Sequence, residues 1–275
     1  MYLSYKQWVK ARRDENFLKR YQNVNKPNVK IILNDFAQFP LYREKKILGS
    51  TIKCGIGNLF KRISKFKAGA EFGIILVINS TDDRETIKKK GIYVALERKY
   101  RFIEKIIFRD NVGFDFGAYN TGYQYLKSAG YKDDVLFMNS SVRGPYNNYW
   151  LLKYTYLFHR DKNIGLCGIS INSHATHLKN NLFRPHVQSF FMYTNMNVLT
   201  KVFNDSLQGA DINSKVPADI VSGGEIKFSE RIIDHGYGIC SKLFDDFIYF
   251  KGNAWTIPSG DTRFDEKYNY FANKI

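Results

Sequence analysis

The 275-residue chain is poor in cysteine, and its few cysteines are badly placed for cross-linking. Cys54, Cys167 and Cys240 are odd in number, far apart and in no C-x-x-C spacing. That excludes a disulfide scaffold and most zinc sites, and it points to a reducing compartment. No apolar run approaches the roughly 20 residues that a membrane helix needs. The opening Met1-Tyr2-Leu3-Ser4-Tyr5-Lys6 turns quickly to charge, so no signal peptide is expected. A soluble, cytoplasmic protein is the expectation, with contact to an anionic membrane surface left open. Linkers rich in Pro or Gly/Ser, low-complexity tracts and fixed-period repeats are missing too. This favours one compact domain over 1–275: a basic, helical part to residue 70, a core over 73–250 and a tail over 251–275. Acidic residues are in deficit, 26 against 42 basic ones, for a net charge of +16. Such a field attracts anions. Much of the excess lies in the first 105 residues, as at Lys61, Arg62, Lys65 and Lys67. With no zinc-finger or helix-turn-helix signature, nucleic acid is not the expected partner.

What the chain does have is apolar and aromatic bulk, at 44% and 16% of residues, enough for one substantial core. Residues 3–22 read as a helix, Val29 to Leu33 as a short strand and Leu59 to Phe66 as an amphipathic helix. Gly73 to Asn79 is apolar on both faces, as a central parallel strand must be. Ser80-Thr81-Asp82-Asp83 then caps a helix over 82–90. Residues 92–96 and 104–108 read as strands, with a helix over 92–100 as the alternative for the first. A helix over 117–128, a strand over 135–138, strands over 164–171 and 186–193 and a helix over 225–235 follow. This alternation predicts an α/β fold with a mostly parallel central sheet flanked by helices. Ligands of such sheets bind beyond the carboxyl ends of the strands.

Two segments sit at such ends. Arg109-Asp110-Asn111-Val112-Gly113-Phe114-Asp115-Phe116-Gly117 joins a strand to a helix. Its glycines permit close backbone approach, and a helix beginning at Gly117 would offer free N–H groups to an anion. Asp115 could accept from a ribose, and Arg109 could pair with a diphosphate. A tight turn with Asp115 as helix N-cap explains the same residues equally well. The second segment, Asn139-Ser140-Ser141-Val142-Arg143-Gly144-Pro145, follows a strand expected to lie beside the first. It reads alternatively as a plain polar loop.

Together, N-x-G-[FY]-D-[FY]-G and N-[DS]-S-x-x-G-P, separated by a helix and a strand, resemble the rhamnan-synthesis protein F family and its viral, algal and plant glycosyltransferase-like relatives. The resemblance extends to His186-Val187-Gln188-Ser189-Phe190-Phe191 and to Glu225 with Phe228-Ser229, and covers roughly residues 73–240. It implies a GT-A-like fold and sugar transfer from a nucleotide diphosphate to a glycan hydroxyl. On that reading Asn79, Ser80 and Thr81 meet the base and ribose. Asn111, Gly113, Asp115 and Gly117 hold ribose and diphosphate, with Arg109 on the diphosphate. Asn139, Ser140 and Ser141 line the reaction centre, with Arg143 beside them. His186 and Gln188 face the acceptor, with His174 and His177 as further acceptor-loop candidates. Glu225 is the first candidate for the general base of an inverting transfer and Asp219 the second. A UDP-sugar is the favoured donor, with xylose, galactose, rhamnose or glucose as the sugar. Ser140 stands where many relatives have an Asp of the metal-binding Asp-x-Asp. Neutral oxygens are poor sole ligands for Mn or Mg, so catalysis without a metal is expected, with basic side chains on the diphosphate. The rival readings are a catalytically inactive glycan- or nucleic-acid-binding module, and another nucleotide-dependent enzyme on a doubly wound sheet.

Overall fold

The structure is a computed structural model that describes residues 21, 27–47, 50–174, 182–207, 220–258 and 275. The expected helix over 3–22 lies outside these residues except for Tyr21. So do His177 and Asp219.

An eight-stranded sheet forms the centre. Its strands are β1 (Val29–Phe36), β4 (Phe72–Ser80), β5 (Ile103–Asp110), β6 (Asp134–Asn139), β7 (Ile164–Gly168), β10 (Phe191–Asn195), β11 (Gly238–Ser241) and β12 (Ile248–Tyr249). Two short hairpins stand apart from it: β2 (Arg43–Ile47) with β3 (Ser50–Cys54), and β8 (Ile171–His174) with β9 (Phe183–Val187). The sheet order is β12-β11-β7-β10-β6-β1-β4-β5. β1 pairs in parallel with both β4 and β6, while β10 runs antiparallel to β6 and β7. This is the expected mostly parallel α/β arrangement. The middles of β4 and β6, Gly73 to Ile78 and Val135 to Met138, are apolar because both of their faces are covered.

The helices are α1 (Ile56–Ile63), α2 (Asp83–Lys99), α3 (Phe114–Ser128), α4 (Trp150–His159), α5 (Met196–Phe203) and α6 (Lys227–Asp234), the last preceded by a π-helical turn at Ile220–Ile226. α3 lies against β1 and β4. It comes close enough at Gly122 that a Cβ there would meet the Ile32 side chain at 2.4 Å. Among the described residues no helix is long and apolar enough to cross a membrane.

Several expected boundaries move. Residues 92–96 are not a strand but lie in the second half of α2, as in the alternative helix over 92–100; buried Tyr93 and Leu96, with Tyr100 just past the helix end, recur at helical spacing. The expected strand over 164–171 breaks after Gly168, where a Cβ would meet the Val187 side chain at 2.3 Å. The expected strand over 186–193 also breaks: β9 ends at Val187, the chain turns through Ser189 and Phe190, and β10 enters the main sheet. Burial continues almost unbroken across the turn, from Val187 and Gln188 to Phe190 and Phe191. β6 does not lie beside β5, since β1 and β4 separate them.

Candidate functional site

The carboxyl ends of β1, β4 and β6 converge on the start of α3. Gly113 takes a left-handed conformation, φ 73°, and is the residue that caps α3. The helix therefore begins at Phe114, earlier than expected, and Asp115 is not its cap. The Gly117 N–H is already bonded to the Gly113 carbonyl at 2.9 Å, so it is not free for an anion. Glycine is needed at 117 for space: a Cβ there would stand 2.1 Å from the Val112 carbonyl oxygen and 2.7 Å from Arg109 Nη2.

Asp115 is the centre of the site. Its Oδ1 accepts from Asn34 Nδ2 at 2.5 Å and its Oδ2 from Asn139 Nδ2 at 2.7 Å. One carboxylate thus bridges β1 and β6 from the helix above them. Burial raises the Asp115 pKa; the Asn139 and Asn34 hydrogen bonds oppose that rise, and the Glu225 charge adds to it. Asn139 Oδ1 faces the other way and accepts from Ser141 N at 3.1 Å and Ser141 Oγ at 2.5 Å.

Arg109 and Asn79 lock the loop in place. Arg109 Nη1 donates to Asn79 Oδ1 at 2.8 Å and Nη2 to the Val112 carbonyl at 2.7 Å. Asn79 Nδ2 donates to the Phe114 carbonyl at 2.9 Å. Burial lowers the Arg109 pKa, with Asp110 opposing it. Asn111 N–H donates to the Ser80 carbonyl at 2.9 Å, and Ser80 Oγ accepts from Gln38 Nε2 at 3.0 Å. Thr81 is exposed beside them.

Ser140 is 5% exposed and belongs to a second cluster. Its Oγ accepts from Arg43 Nη2 at 2.8 Å, and its carbonyl accepts from the same nitrogen at 3.1 Å. Asp35 lies buried beneath, accepting from Tyr93 OH at 3.0 Å. Burial raises the Asp35 pKa, against hydrogen bonds from Ser140 and Tyr93 and the charge of Arg43. Burial and then the Asp35 charge push the Tyr93 phenol up. Arg143 is 3% exposed and sits within its turn, its carbonyl accepting from Ile275 N at 2.9 Å.

The motif residues further along the chain form a supporting layer. Glu225 does not open its helix as expected. It lies in the π-helical turn, 3% exposed, and its Oε2 accepts the Ser189 N–H at 2.6 Å. Tyr119 OH donates to the Ser189 carbonyl at 2.8 Å, so both sides of this peptide segment are gripped. Ser229 Oγ accepts the Val187 N–H at 3.1 Å and donates to the Glu225 carbonyl at 3.2 Å. His186 is fully buried; its Nδ1 lies 2.7 Å from the Arg184 carbonyl, and its Nε2 faces Glu225 Oε1 at 3.5 Å. A carbonyl only accepts, so Nδ1 carries the proton. Gln188, expected on the same strand face as His186, lies past the end of β9 and accepts from Ser170 Oγ at 2.6 Å. His174 pairs with Phe183 at the other end of β9 and is not brought to the cluster.

Asn34, Asp35, Tyr93 and Arg43 were missed from sequence. The signal for the first two was legible: a polar Asn-Asp pair directly after the apolar run Ile31-Ile32-Leu33, near the carboxyl end of a strand, where α/β sheets place ligand groups. Metal ligation is poorly served at Ser140. Each Asp115 oxygen already accepts an amide N–H, Asn139 Oδ1 accepts from Ser141, and Ser140 Oγ accepts from a guanidinium that would repel a divalent ion. Among the described residues no three His, Cys, Asp or Glu side chains converge.

A family model described as rhamnan synthesis protein F matches residues 74–247, well over half of the chain. No curated protein matches the sequence.

Proposed function

The chain belongs to the rhamnan synthesis protein F family, and from that premise we propose that it transfers a sugar from a nucleoside diphosphate to a hydroxyl of a growing glycan. Membership carries a glycosyltransferase-like role in polysaccharide synthesis. The finer reading is ours: a UDP-sugar donor, bound across the ends of β1, β4 and β6, and transfer with inversion. One observation supports it above the others. Asp115 holds Asn34 and Asn139 together at the carboxyl ends of adjacent parallel strands, where sheets of this kind bind nucleotides.

The transfer breaks the bond between the sugar C1 and the diphosphate oxygen, whose electron pair leaves with the diphosphate. The acceptor oxygen forms the new bond to C1 and loses its proton. Glu225 is the group proposed to receive that proton. Its Oε1 faces His186 Nε2 at 3.5 Å and makes no hydrogen bond among the described residues, whereas Oε2 is fixed by the Ser189 N–H. Calorimetric titration with UDP, GDP, dTDP and UMP, followed by a donor-hydrolysis screen, tests the reading. Binding that favours one nucleoside diphosphate over UMP is expected. Absence of binding to any of the diphosphates would sink it.

A further inference from the structure

Three arginines approach the polar cluster, and they are not equivalent. Arg109 uses both terminal nitrogens on Asn79 and Val112. Arg143 is buried within its own turn. Arg43 is different. It starts β2, outside the residues matched by the family model, and reaches across to Ser140.

Its surroundings fix the guanidinium plane. The central carbon lies 4.5 Å from the Phe39 ring centroid, so the group stacks on an aromatic face. Nη2 is held by the oxygens of Ser140. Nε is buried without a hydrogen-bond partner, and Nη1 makes no hydrogen bond among the described residues. The hairpin is also tied to the strand end by its backbone. Gly55 N–H donates to the Ser140 carbonyl at 3.1 Å. Gly55 sits at φ +90°, and a Cβ there would stand 2.6 Å from the Leu41 carbonyl oxygen. The approach therefore depends on glycine.

We infer that Arg43 is the cation that binds the donor's diphosphate, at the place where an Asp-bearing site would hold a metal ion. This rests on the glycosyltransferase reading above. A planar guanidinium whose orientation is fixed and whose Nη1 is unused offers a cation and a directed donor to a diphosphate oxygen. Ser140, being neutral, can accept from a guanidinium without adding a charge that competes with the ligand; Asp35 is the acidic group that faces Arg43, and burial favours its neutral form, whereas an Asp at residue 140 would close a second, direct ion pair. As the C1–O bond breaks, the charge that arrives on the diphosphate oxygen is met by a fixed positive group. The serine that looked like the loss of a metal ligand thus becomes the seat of the arginine.

The test compares the wild-type chain with Arg43→Ala and Arg43→Lys. UDP, GDP and dTDP binding is measured by calorimetry, with and without EDTA, and uridine binding by ligand-observed NMR. Arg43→Ala is expected to weaken UDP about tenfold to a hundredfold while leaving uridine unchanged. Arg43→Lys should recover part of the loss, and EDTA should leave wild-type binding intact. Equal binding of UDP by wild type and Arg43→Ala overturns the inference. So does an equal weakening of UDP and uridine, which would mark a structural role, and so does loss of wild-type binding in EDTA. If the wild type binds none of the three diphosphates, the donor reading itself fails.

Discussion

Gly117→Ala sets two well-understood effects against each other. In a helix interior, alanine is favoured over glycine by about 1 kcal/mol. At residue 117 the added methyl would stand 2.1 Å from the Val112 carbonyl oxygen and 2.7–2.8 Å from the two terminal nitrogens of Arg109. The first contact is with backbone, so it cannot be relieved by a rotamer change. Overpacking of this kind costs roughly 1–3 kcal/mol or more, and the displaced Arg109 also loses its bonds to Asn79 and Val112. The clash should win, with a net loss of about 1–3 kcal/mol. Gly91 in α2 is the control: nothing lies within 4 Å of a Cβ there, so Gly91→Ala should gain up to about 1 kcal/mol. For a chain of this size each kcal/mol moves the melting temperature by roughly 2–4 °C. Thermal melts followed by circular dichroism should therefore shift up for Gly91→Ala and down for Gly117→Ala, and the latter should also bind the donor nucleotide more weakly. Two shifts of the same sign would refute the claim that residue 117 is glycine for space.

Asp35 gives a pH signature. Its folded-state pKa lies above the ordinary 3.8, so its contribution to stability is present below about pH 4 and is lost as pH rises through the raised value. Urea unfolding across that interval should show a downward slope that Asp35→Asn flattens; an unchanged slope would count against the buried carboxyl as its source. Asp134 should matter for stability alone. Its Oδ2 accepts from Tyr193 OH at 2.5 Å and lies 2.6 Å from His159 Nε2, at the end of β6 opposite Asn139. Asp134→Ala should cost about 2–4 kcal/mol by chemical denaturation and leave donor affinity unchanged. Weakened nucleotide binding with stability intact would contradict that assignment.

The parts of the fold legible in the sequence were those where local pattern and tertiary environment agree. Gly73 to Asn79 and Val135 to Met138 read as buried strands because both faces are covered, and the glycine-rich turn before α3 announced itself. Residues 92–96 misled because β-branched and aromatic side chains can serve a helix whose apolar face repeats at Tyr93, Leu96 and Tyr100. The break at Ser189 was hidden because buried residues flank it on both sides. In the site, Asp115 and Asn139 stood out, but their shared partner Asn34 was passed over when the first strand was ended at Leu33. Arg43 could not be found locally, since it meets Ser140 across 97 residues of chain.

The antiparallel course of β10 decides which of its flanking loops matters. In β1, β4, β5 and β6 it is the carboxyl end of the strand that reaches the site. For β10 it is the segment before, Gln188 to Phe190, while the residues after it, from Asn195, emerge beside Asp134 at the opposite rim. The two rims are therefore separable for engineering. A tag or short insertion at the turn after α5, near Asn204, would lie away from the proposed nucleotide face. The same insertion before Phe191 would pull the Ser189 peptide out of the grip of Glu225 and Tyr119.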